Sequence, residues 1–476
     1  MNPGVCEGQV SCQSHEGADI RAGLLRLTKY LAVFEIYTPA VVLQSSEVLG
    51  EFRIVLGERM VYSGRAVVHS LVNTGITLLC EATLEEAWLD FDFISPTGQF
   101  NNIRAGFEQF LLEWQKNYKI LPEYKATIAD LQSFMAGLRN WLEQVELGIR
   151  SAPAADRLSL EREVVRDVAP AAVSAIDTMI EKFEAQVEKL TEEERPAHRS
   201  FLKRQLHPLV LCSPFGYRSY YKPLGYAGDY EVVNMILREP YEGGSLFAKL
   251  INVWLLSQAP AQGHRNRLEV IVQRLCAETL RASLEQRSAR IYSLGCGPAA
   301  EVQRFLREND IAGRAQFTLV DFNEETLQHA ATALDELNRT DRRKASVQLV
   351  KKSVYHILKE AGKVVQRSQE QQFDFVYCAG LFDYLTDSVC KRLMNIFYTW
   401  LAPGGLLLVT NVDATLNDSR CFRHSLDFFL DWNLIYRTAA QLRALAPDAA
   451  SPSSCSVTSE ERGVNVFLEV RKSTHA

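Results

Sequence analysis

The stretch of sequence that decides the fold is ARIYSLGCGPAA, residues 289–300. Its first six residues are mostly apolar, as in a short strand that is buried on both faces of a parallel sheet. Gly295 and Gly297 follow. Because glycine has no side chain, the backbone can turn sharply into a helix there while a ligand lies against it. The pattern therefore predicts a strand, a glycine turn and a helix that begins near Ala299.

Short apolar runs alternate with helical patterns downstream of this turn, which predicts crossover helices around a mostly parallel sheet. The further predicted strands are 317–320, 347–350, 373–378, 406–411 and a closing strand, 464–470. We therefore expect a Rossmann-like α/β domain in the C-terminal half of the chain.

Asp321 follows the second predicted strand, 24 residues after Gly297. A carboxylate at this strand end is placed to accept hydrogen bonds from the hydroxyls of a ribose. A pair of glycines alone is a weak signal. Here the pair follows a strand, opens a helix and is matched by an acidic residue at the next strand end, so a cofactor that contains a nucleoside is expected.

The position of a third glycine separates two classes of such cofactors. Dinucleotide sites use G-x-G-x-x-G and bind the pyrophosphate at the helix N-terminus, whereas this chain has Ala300 at the third position. This variation, together with Asp374 at the start of the fourth strand and the turn at 401–405, resembles class I S-adenosylmethionine-dependent methyltransferases. The resemblance implies a Rossmann-like class I methyltransferase domain and the cofactor S-adenosyl-L-methionine, which carries no phosphate.

The resemblance also implies roles for individual residues. The glycine turn would line the methionine end of the cofactor, Asp321 would hold the ribose, and Phe322 would pack on the adenine. Many relatives have an acidic residue where this chain has Ser353. Arg265 or Arg267 would pair with the cofactor's carboxylate, or would cap a helix. The expected cofactor-binding residues are Gly295, Cys296, Gly297, Asp321, Phe322, Ser353, Val354, Cys378, Ala379, Gly380 and Arg265.

A narrower resemblance rests on the segments 222–231, 264–267 and 431–437. A structural interpretation of the first is a pair of turns with Asp229 as a helix cap. Together the three segments resemble bacterial methyltransferases that make methyl esters of 3-hydroxy fatty acids, such as 3-hydroxypalmitic acid methyl ester, the extracellular factor of quorum sensing. The similarity extends over roughly 201–470, and it implies an O-methyltransferase that acts on a fatty acid or a similar small carboxylic acid.

The implied chemistry needs few residues. A carboxylate with a pKa of ~4–5 is ionised at pH 7 and is itself the nucleophile, so the protein must position it and exclude water rather than supply a base. A hydroxyl or amine acceptor would need a base, and His424 could then serve. The side chains expected to hold the acceptor are Tyr226, Tyr230, His424, Tyr436 and Arg437.

Several alternative functions stay open from the sequence. One is methylation of nitrogen, carbon or a hydroxyl group on another small molecule, and another is intramolecular attack within S-adenosylmethionine. A third is a ligand sensor whose methyltransferase domain is vestigial. The intact glycines and Asp321 argue against the sensor.

The length of 476 residues predicts two or three domains. We expect a disordered tail at 1–20, a small β-rich domain at 21–100, a helical region at 101–211, and the methyltransferase domain with an N-terminal lid segment at 212–476. The β-rich domain weakly resembles PilZ domains, in a degenerate form, because the expected ligand-binding residues are missing. The helical region would cap the catalytic domain, form a homodimer contact, or serve only in packing.

Charge, hydropathy and cysteine spacing argue against nucleic acid, a membrane span and a metal site. The net charge of −6 argues against nucleic acid, and no apolar run approaches the ~18 residues of a membrane span. The ten cysteines are scattered and form no C-x-x-C pair, so no metal site is expected. The polar N-terminus shows no secretory pattern, which predicts a cytoplasmic protein.

Overall fold

The structure is a computed structural model. It describes residues 8–15, 17–28, 30–37, 43–56, 59–73, 77–85, 108, 111, 120–340, 345–361, 372–415 and 422–474. None of the helices within these residues has the length and apolar character that crossing a membrane requires.

The N-terminal part is a closed antiparallel barrel of six strands in the order β1-β2-β3-β6-β5-β4. The predicted β-rich domain is thus a barrel, and the boundary predicted at residue 100 lies outside the described residues. The strands are β1 (Gly8–Gln13), β2 (Asp19–Thr28), β3 (Leu31–Ile36), β4 (Val48–Leu56), β5 (Arg59–Asn73) and β6 (Leu78–Leu84).

The prediction of a disordered tail at 1–20 is wrong for the residues that form β1 and the start of β2. Val10, Cys12 and Ile20 point into the barrel and are buried, while the polar residues between them face outward. A β-strand needs an apolar residue only at every second position. The segment is therefore polar on average, and its composition did not predict a strand.

A helical layer follows the barrel. We use this name for α1 (Pro122–Arg150), α2 (Arg157–Val187), α3 (Arg195–Val210), α4 (Pro214–Tyr221), α5 (Tyr230–Leu237) and α6 (Leu246–Ser257). All six helices contribute to one apolar core, and the Trp254 indole N–H of α6 donates to Asp177 of α2. The predicted boundary at residue 211 therefore falls inside one packing unit, and 214–257 shares the core of the helices that precede it.

The C-terminal sheet has seven strands in the order β12-β13-β11-β10-β7-β8-β9. Strands β7 to β11 are parallel, whereas β13 is antiparallel to β11 and to β12. The six predicted strands are confirmed. They are β7 (Ala289–Leu294), β8 (Ala315–Asp321), β9 (Ser346–Lys351), β10 (Phe373–Cys378), β11 (Leu401–Val412) and β13 (Asn465–Arg471). The edge strand β12 (Cys455–Ser459) was not predicted, because its residues are mostly polar.

Helices cover both faces of this sheet and form two separate cores. One face carries α7 (Ala259–Leu284), α8 (Ala300–Glu308) and α9 (Glu324–Thr340), and the other carries α10 (Val354–Ala361), α11 (Asp387–Trp400) and α13 (Ala439–Ala444). The short α12 (Ser425–Leu430) packs instead on the helical layer. This two-faced arrangement confirms the Rossmann-like fold.

A buried cluster of charges joins the three parts of the molecule. The Asp431 carboxylate, after α12, lies 2.5 Å from Lys203 Nζ of α3 and 3.6 Å from the Arg65 guanidinium of the barrel. Burial alone would raise the pKa of Asp431, but Lys203, Lys222, Arg65 and Arg199 together hold it well below its usual value. Removing one member would leave uncompensated buried charge, so the cluster holds the barrel against the catalytic domain.

Candidate active site

The strand order reverses between β7 and β10, and the carboxyl ends of these strands open into a cavity. In open α/β sheets, ligands bind at this topological switch point. The empty space of the cavity is about 1970 Å³ including the open space at its mouth, and residues of the sheet, of the helical layer and of a barrel loop line it.

The glycine turn after β7 forms the floor of one end of the cavity, which we call the cofactor end. Gly295 and Gly297 both have positive φ, +69° and +51°, so a side chain at either position would be strained. A Cβ atom at Gly297 would meet no protein atom within 4 Å. It would point into the space that a ligand against this turn must fill.

Asp321 lies at the carboxyl end of β8, beside this turn. It is 6% exposed, and its two carboxylate oxygens accept the backbone N–H groups of Gly297 (3.1 Å) and Asn323 (3.0 Å). Burial raises the pKa of Asp321, and the N–H donors counteract this by stabilising the charge. Each oxygen uses one of its acceptor sites in this way and keeps another for a ribose hydroxyl.

The structure places nine of the eleven expected cofactor-binding residues at the cavity: Gly295, Cys296, Gly297, Asp321, Phe322, Ser353, Val354, Ala379 and Gly380. Cys378 does not line it, because it is fully buried in one face of the sheet. Arg265 does not line it either. Its guanidinium donates to the backbone carbonyls of Ile236 (2.8 Å) and Leu256 (3.0 Å), and it therefore holds α7 against α5 and α6.

Arg267 is the arginine of this segment that reaches the cavity, beside Gly380. It donates to His264 Nδ1 at 2.7 Å. Because a guanidinium can only donate, Nδ1 must be unprotonated. Burial and the neighbouring arginines hold the pKa of His264 well below 6.5, so the neutral ring carries its proton on Nε2. His264, which also lines the cavity, therefore offers an N–H donor there.

Glu301, at the start of α8, also lines the cavity and was not predicted. It accepts a hydrogen bond from the Tyr377 hydroxyl (2.8 Å), and burial raises its pKa. Glu301 and Arg267 thus place opposite charges at the cofactor end. Such a pair is complementary to the ammonium and carboxylate groups of an amino acid, so these residues could hold the methionine end of S-adenosylmethionine.

Three of the five residues expected to hold the acceptor line the cavity: Tyr226, Tyr230 and Tyr436. The structure does not bring His424 to the cavity lining. Its backbone N–H donates to Glu184 at 2.9 Å at the start of α12, and its ring lies outside the cavity, where burial and the charges of Arg195 and Arg423 lower its pKa.

The structure does not bring Arg437 to the cavity lining either. This side chain is 2% exposed and lies outside the cavity lining. It donates to the carbonyls of Phe382 (2.7 Å) and Leu385 (2.6 Å) and to Asn411 Oδ1 (2.6 Å). Arg437 thus holds the loop after β10 in place.

The other end of the cavity is apolar. Its wall consists of side chains that belong to the core of the helical layer, and we call it the apolar arm: Phe215, Val232, Ile236, Leu255, Ala261, Phe422, Leu426, Leu430, Trp432 and Leu434. Sequence patterns did not identify the arm. Each of these residues is an ordinary core residue of its own segment, and the segments are far apart in the chain.

Comparison with known proteins identifies a methyltransferase domain within the sheet. Residues 292–407, which run from β7 into β11, match a family model described as a methyltransferase domain. No curated protein sequence matches the chain.

Among solved structures, the chain is similar to a possible exported protein from Bordetella parapertussis (18% identity, 64% of this chain and 97% of that one, TM-score 0.42). It is also similar to magnesium protoporphyrin IX methyltransferase from Synechocystis PCC 6803 with bound SAH (12%, 54% and 98%, TM-score 0.36). A third is the N-methyltransferase NodS from Bradyrhizobium japonicum WM9 with S-adenosyl-L-homocysteine (15%, 51% and 97%, TM-score 0.28). These TM-scores are below 0.5, so no argument rests on them.

The matched residues include the glycine turn and Asp321, and the matched family transfers methyl groups. Residues 292–407 therefore form a methyltransferase domain, and the protein is an S-adenosylmethionine-dependent methyltransferase.

Proposed function

We propose that this enzyme methylates the carboxyl group of a 3-hydroxy fatty acid, or of a similar small acid with an apolar chain, and forms its methyl ester. The observation that carries the proposal is the apolar arm, which opens from the same cavity as the cofactor end. An acyl chain is the simplest ligand for such a wall. Transfer of each methylene group from water into it contributes about 0.8 kcal/mol, or about fourfold in affinity.

The cavity also offers donors for the acid. His264 carries a proton on Nε2, as derived above from its contact with Arg267. The Tyr384 hydroxyl accepts from the Trp432 indole at 2.9 Å, which leaves its own hydrogen for another acceptor. Both side chains line the cavity. Neutral donors can orient a carboxylate while its charge stays available for attack.

When bound, S-adenosylmethionine supplies a methyl group activated by the sulfonium. The acceptor's carboxylate oxygen forms the new O–C bond as the C–S bond breaks, and the products are the ester and S-adenosylhomocysteine. No proton leaves the acceptor, so no base is required. The protein's contribution is to align the two molecules and to exclude water.

The experiment is methyl transfer from labelled cofactor to 3-hydroxy acids of increasing chain length, with the matching amides as controls. We expect ester formation with the free acids, and a KM that falls about three- to fourfold per added methylene until the arm is full. Transfer to the amides, or no transfer to any free acid, would refute the proposal and leave the methyltransferase assignment intact.

A second candidate is methylation of a hydroxyl group, and Asp383 favours it. This carboxylate lines the cavity, burial raises its pKa, and its Oδ1 accepts the Val412 N–H at 2.7 Å. Its Oδ2 lies 4.0 Å from Arg267 and could accept a proton. A rate that rises with pH and is abolished in Asp383→Asn would favour this chemistry, whereas ester formation needs no base.

A further inference from the structure

Two loops of the N-terminal barrel reach the cofactor end of the cavity. Gln44, in the loop before β4, is part of the cavity wall. His15, in the loop after β1, packs against Phe322, the residue that follows the ribose-binding Asp321. The ring centroids of His15 and Phe322 are 4.6 Å apart and the planes are nearly perpendicular, at 84°.

A third ring completes this contact. Tyr226, from the loop before α5, lies with its ring centroid 5.0 Å from that of Phe322 and 5.8 Å from that of His15. Its hydroxyl hydrogen-bonds with Thr326 at the start of α9 (3.3 Å). The barrel, the helical layer and the sheet therefore each contribute one ring to a cluster beside Asp321. Phe322 and Tyr226 of this cluster line the cavity, and the His15 ring packs against both of them.

Glu47 fixes both barrel loops. Its side chain is inaccessible to solvent, and its Oε1 lies 2.5 Å from His15 Nδ1 and accepts the His15 backbone N–H at 2.8 Å. Its Oε2 accepts the Gln44 backbone N–H, also at 2.8 Å. One buried carboxylate thus sets the position of the ring on Phe322 and of the residue in the cavity wall.

The same loops bind the loops that surround the site. The Val48 N–H donates to the Gly225 carbonyl (2.7 Å), and the Ser46 hydroxyl donates to the Asn433 carbonyl (2.8 Å). A Cβ atom at Gly225 would lie only 2.9 Å from His15 Cβ, so the two backbones approach as closely as glycine permits. Through these contacts the barrel binds the loops that form the walls of the cavity.

We propose that the N-terminal barrel is part of the cofactor site, and that His15, held by Glu47, is a positioning residue that keeps Phe322 and Tyr226 in place for the adenosyl group. The cofactor end is then incomplete without the barrel. This inference depends on the cofactor alone and not on the identity of the acceptor, so it can be tested in the absence of any acceptor.

The test measures the Kd of S-adenosylmethionine by calorimetry on full-length variants. We expect His15→Gln to raise Kd about 3–10-fold, the effect of losing the ring contacts, while the polar side chain can still hydrogen-bond to Glu47 and preserve the fold. Glu47→Gln should raise Kd by a similar factor. Glu51→Gln is the matched control, because Glu51 is an exposed carboxylate of β4 that pairs with Arg53 and lies outside the cavity lining. The Kd of this variant should not change.

A double-mutant cycle separates positioning from general stability. If His15 acts in part through Phe322, then His15→Gln should raise Kd by a smaller factor in a Phe322→Ala background than in the parent protein. An equal loss in both backgrounds would overturn the positioning role. An unchanged Kd in folded His15→Gln would overturn the participation of His15, and an unchanged Kd in Glu47→Gln would overturn the role of its carboxylate.

Discussion

The cofactor end and the apolar arm of the same cavity differ in how their residues are brought together. Most of the cofactor end comes from residues at or just beyond the carboxyl ends of strands of one sheet, as at Gly295, Asp321 and Gly380. The arm comes from helices that lie up to about 200 residues apart in the chain and meet only through packing, as Phe215 and Leu426 do. The first end is therefore a property of local backbone geometry, and the second is a property of the assembled core.

This difference predicts that substitutions at the two ends have separable effects. At the cofactor end they should change the affinity for S-adenosylmethionine, whereas in the arm they should change the KM of the acceptor. The following variants test this separation.

The largest effect is expected from Gly297→Val. The new side chain would occupy the open space above the turn and would strain a backbone with φ of +51°. We expect cofactor binding to become undetectable in calorimetry. Gly463→Val is the matched control, because Gly463 has a similar φ of +70° and equally open surroundings but does not line the cavity. If the control loses binding equally, backbone strain and not occupied space is the cause.

Asp321→Ala should have the next largest effect. It removes charge-assisted hydrogen bonds to the ribose, and we expect a loss of about 2–3 kcal/mol, or about 30–150-fold in Kd. Asp374→Asn provides the comparison, since Asp374 is a buried carboxylate at the opposite end of the sheet, paired with Arg281 and Arg287. It should lower stability without changing Kd. Unchanged affinity in a folded Asp321→Ala variant would contradict the ribose assignment.

Leu426→Asn tests the apolar arm. It places an amide in an apolar wall, and we expect the KM of a long-chain acid to rise about tenfold, from the loss of about 1.5 kcal/mol of apolar contact, with the cofactor Kd unchanged. Leu284→Asn, at a position 78% exposed at the end of α7, is the control and should change neither value. A parallel loss of cofactor affinity in Leu426→Asn would show that the two ends do not act separately.

The smallest effect is expected from His424→Ala, because this side chain lies outside the cavity. Turnover should change less than about twofold, and the pH profile should be unaltered at neutral pH. Burial lowers the pKa of His424 from 6.5, so the unfolded state binds its proton more readily than the folded state. The contribution of His424 to the free energy of unfolding is therefore fully present above pH 6.5, and it is lost as the pH falls below that value. Acid unfolding curves of the two proteins measure this difference, and a large loss of turnover would restore His424 to the site.

Much of the cofactor end could be predicted, and the exceptions have a common cause. Arg265 and Arg267 are two residues apart on α7, so they point in nearly opposite directions. Which of them faces the cavity depends on what packs on each side of the helix. Arg437 is a polar residue near the site, and only the carbonyls around it show that its side chain serves the fold. His424 is polar as well, and only the packing of α12 decides that it does not line the cavity.

By itself, the sequence determined the strands of the catalytic sheet, the glycine turn and the position of the Asp321 carboxylate at a strand end, because apolar strand runs and strand-end residues are local features. The tertiary structure alone decided the apolar arm, the choice of Arg267, the opposite charges of Glu301 and Arg267, and the contact of the barrel with Phe322. These features depend on which side chains converge from distant segments, and that convergence is set by the packing of the helical layer and by the buried charges around Asp431.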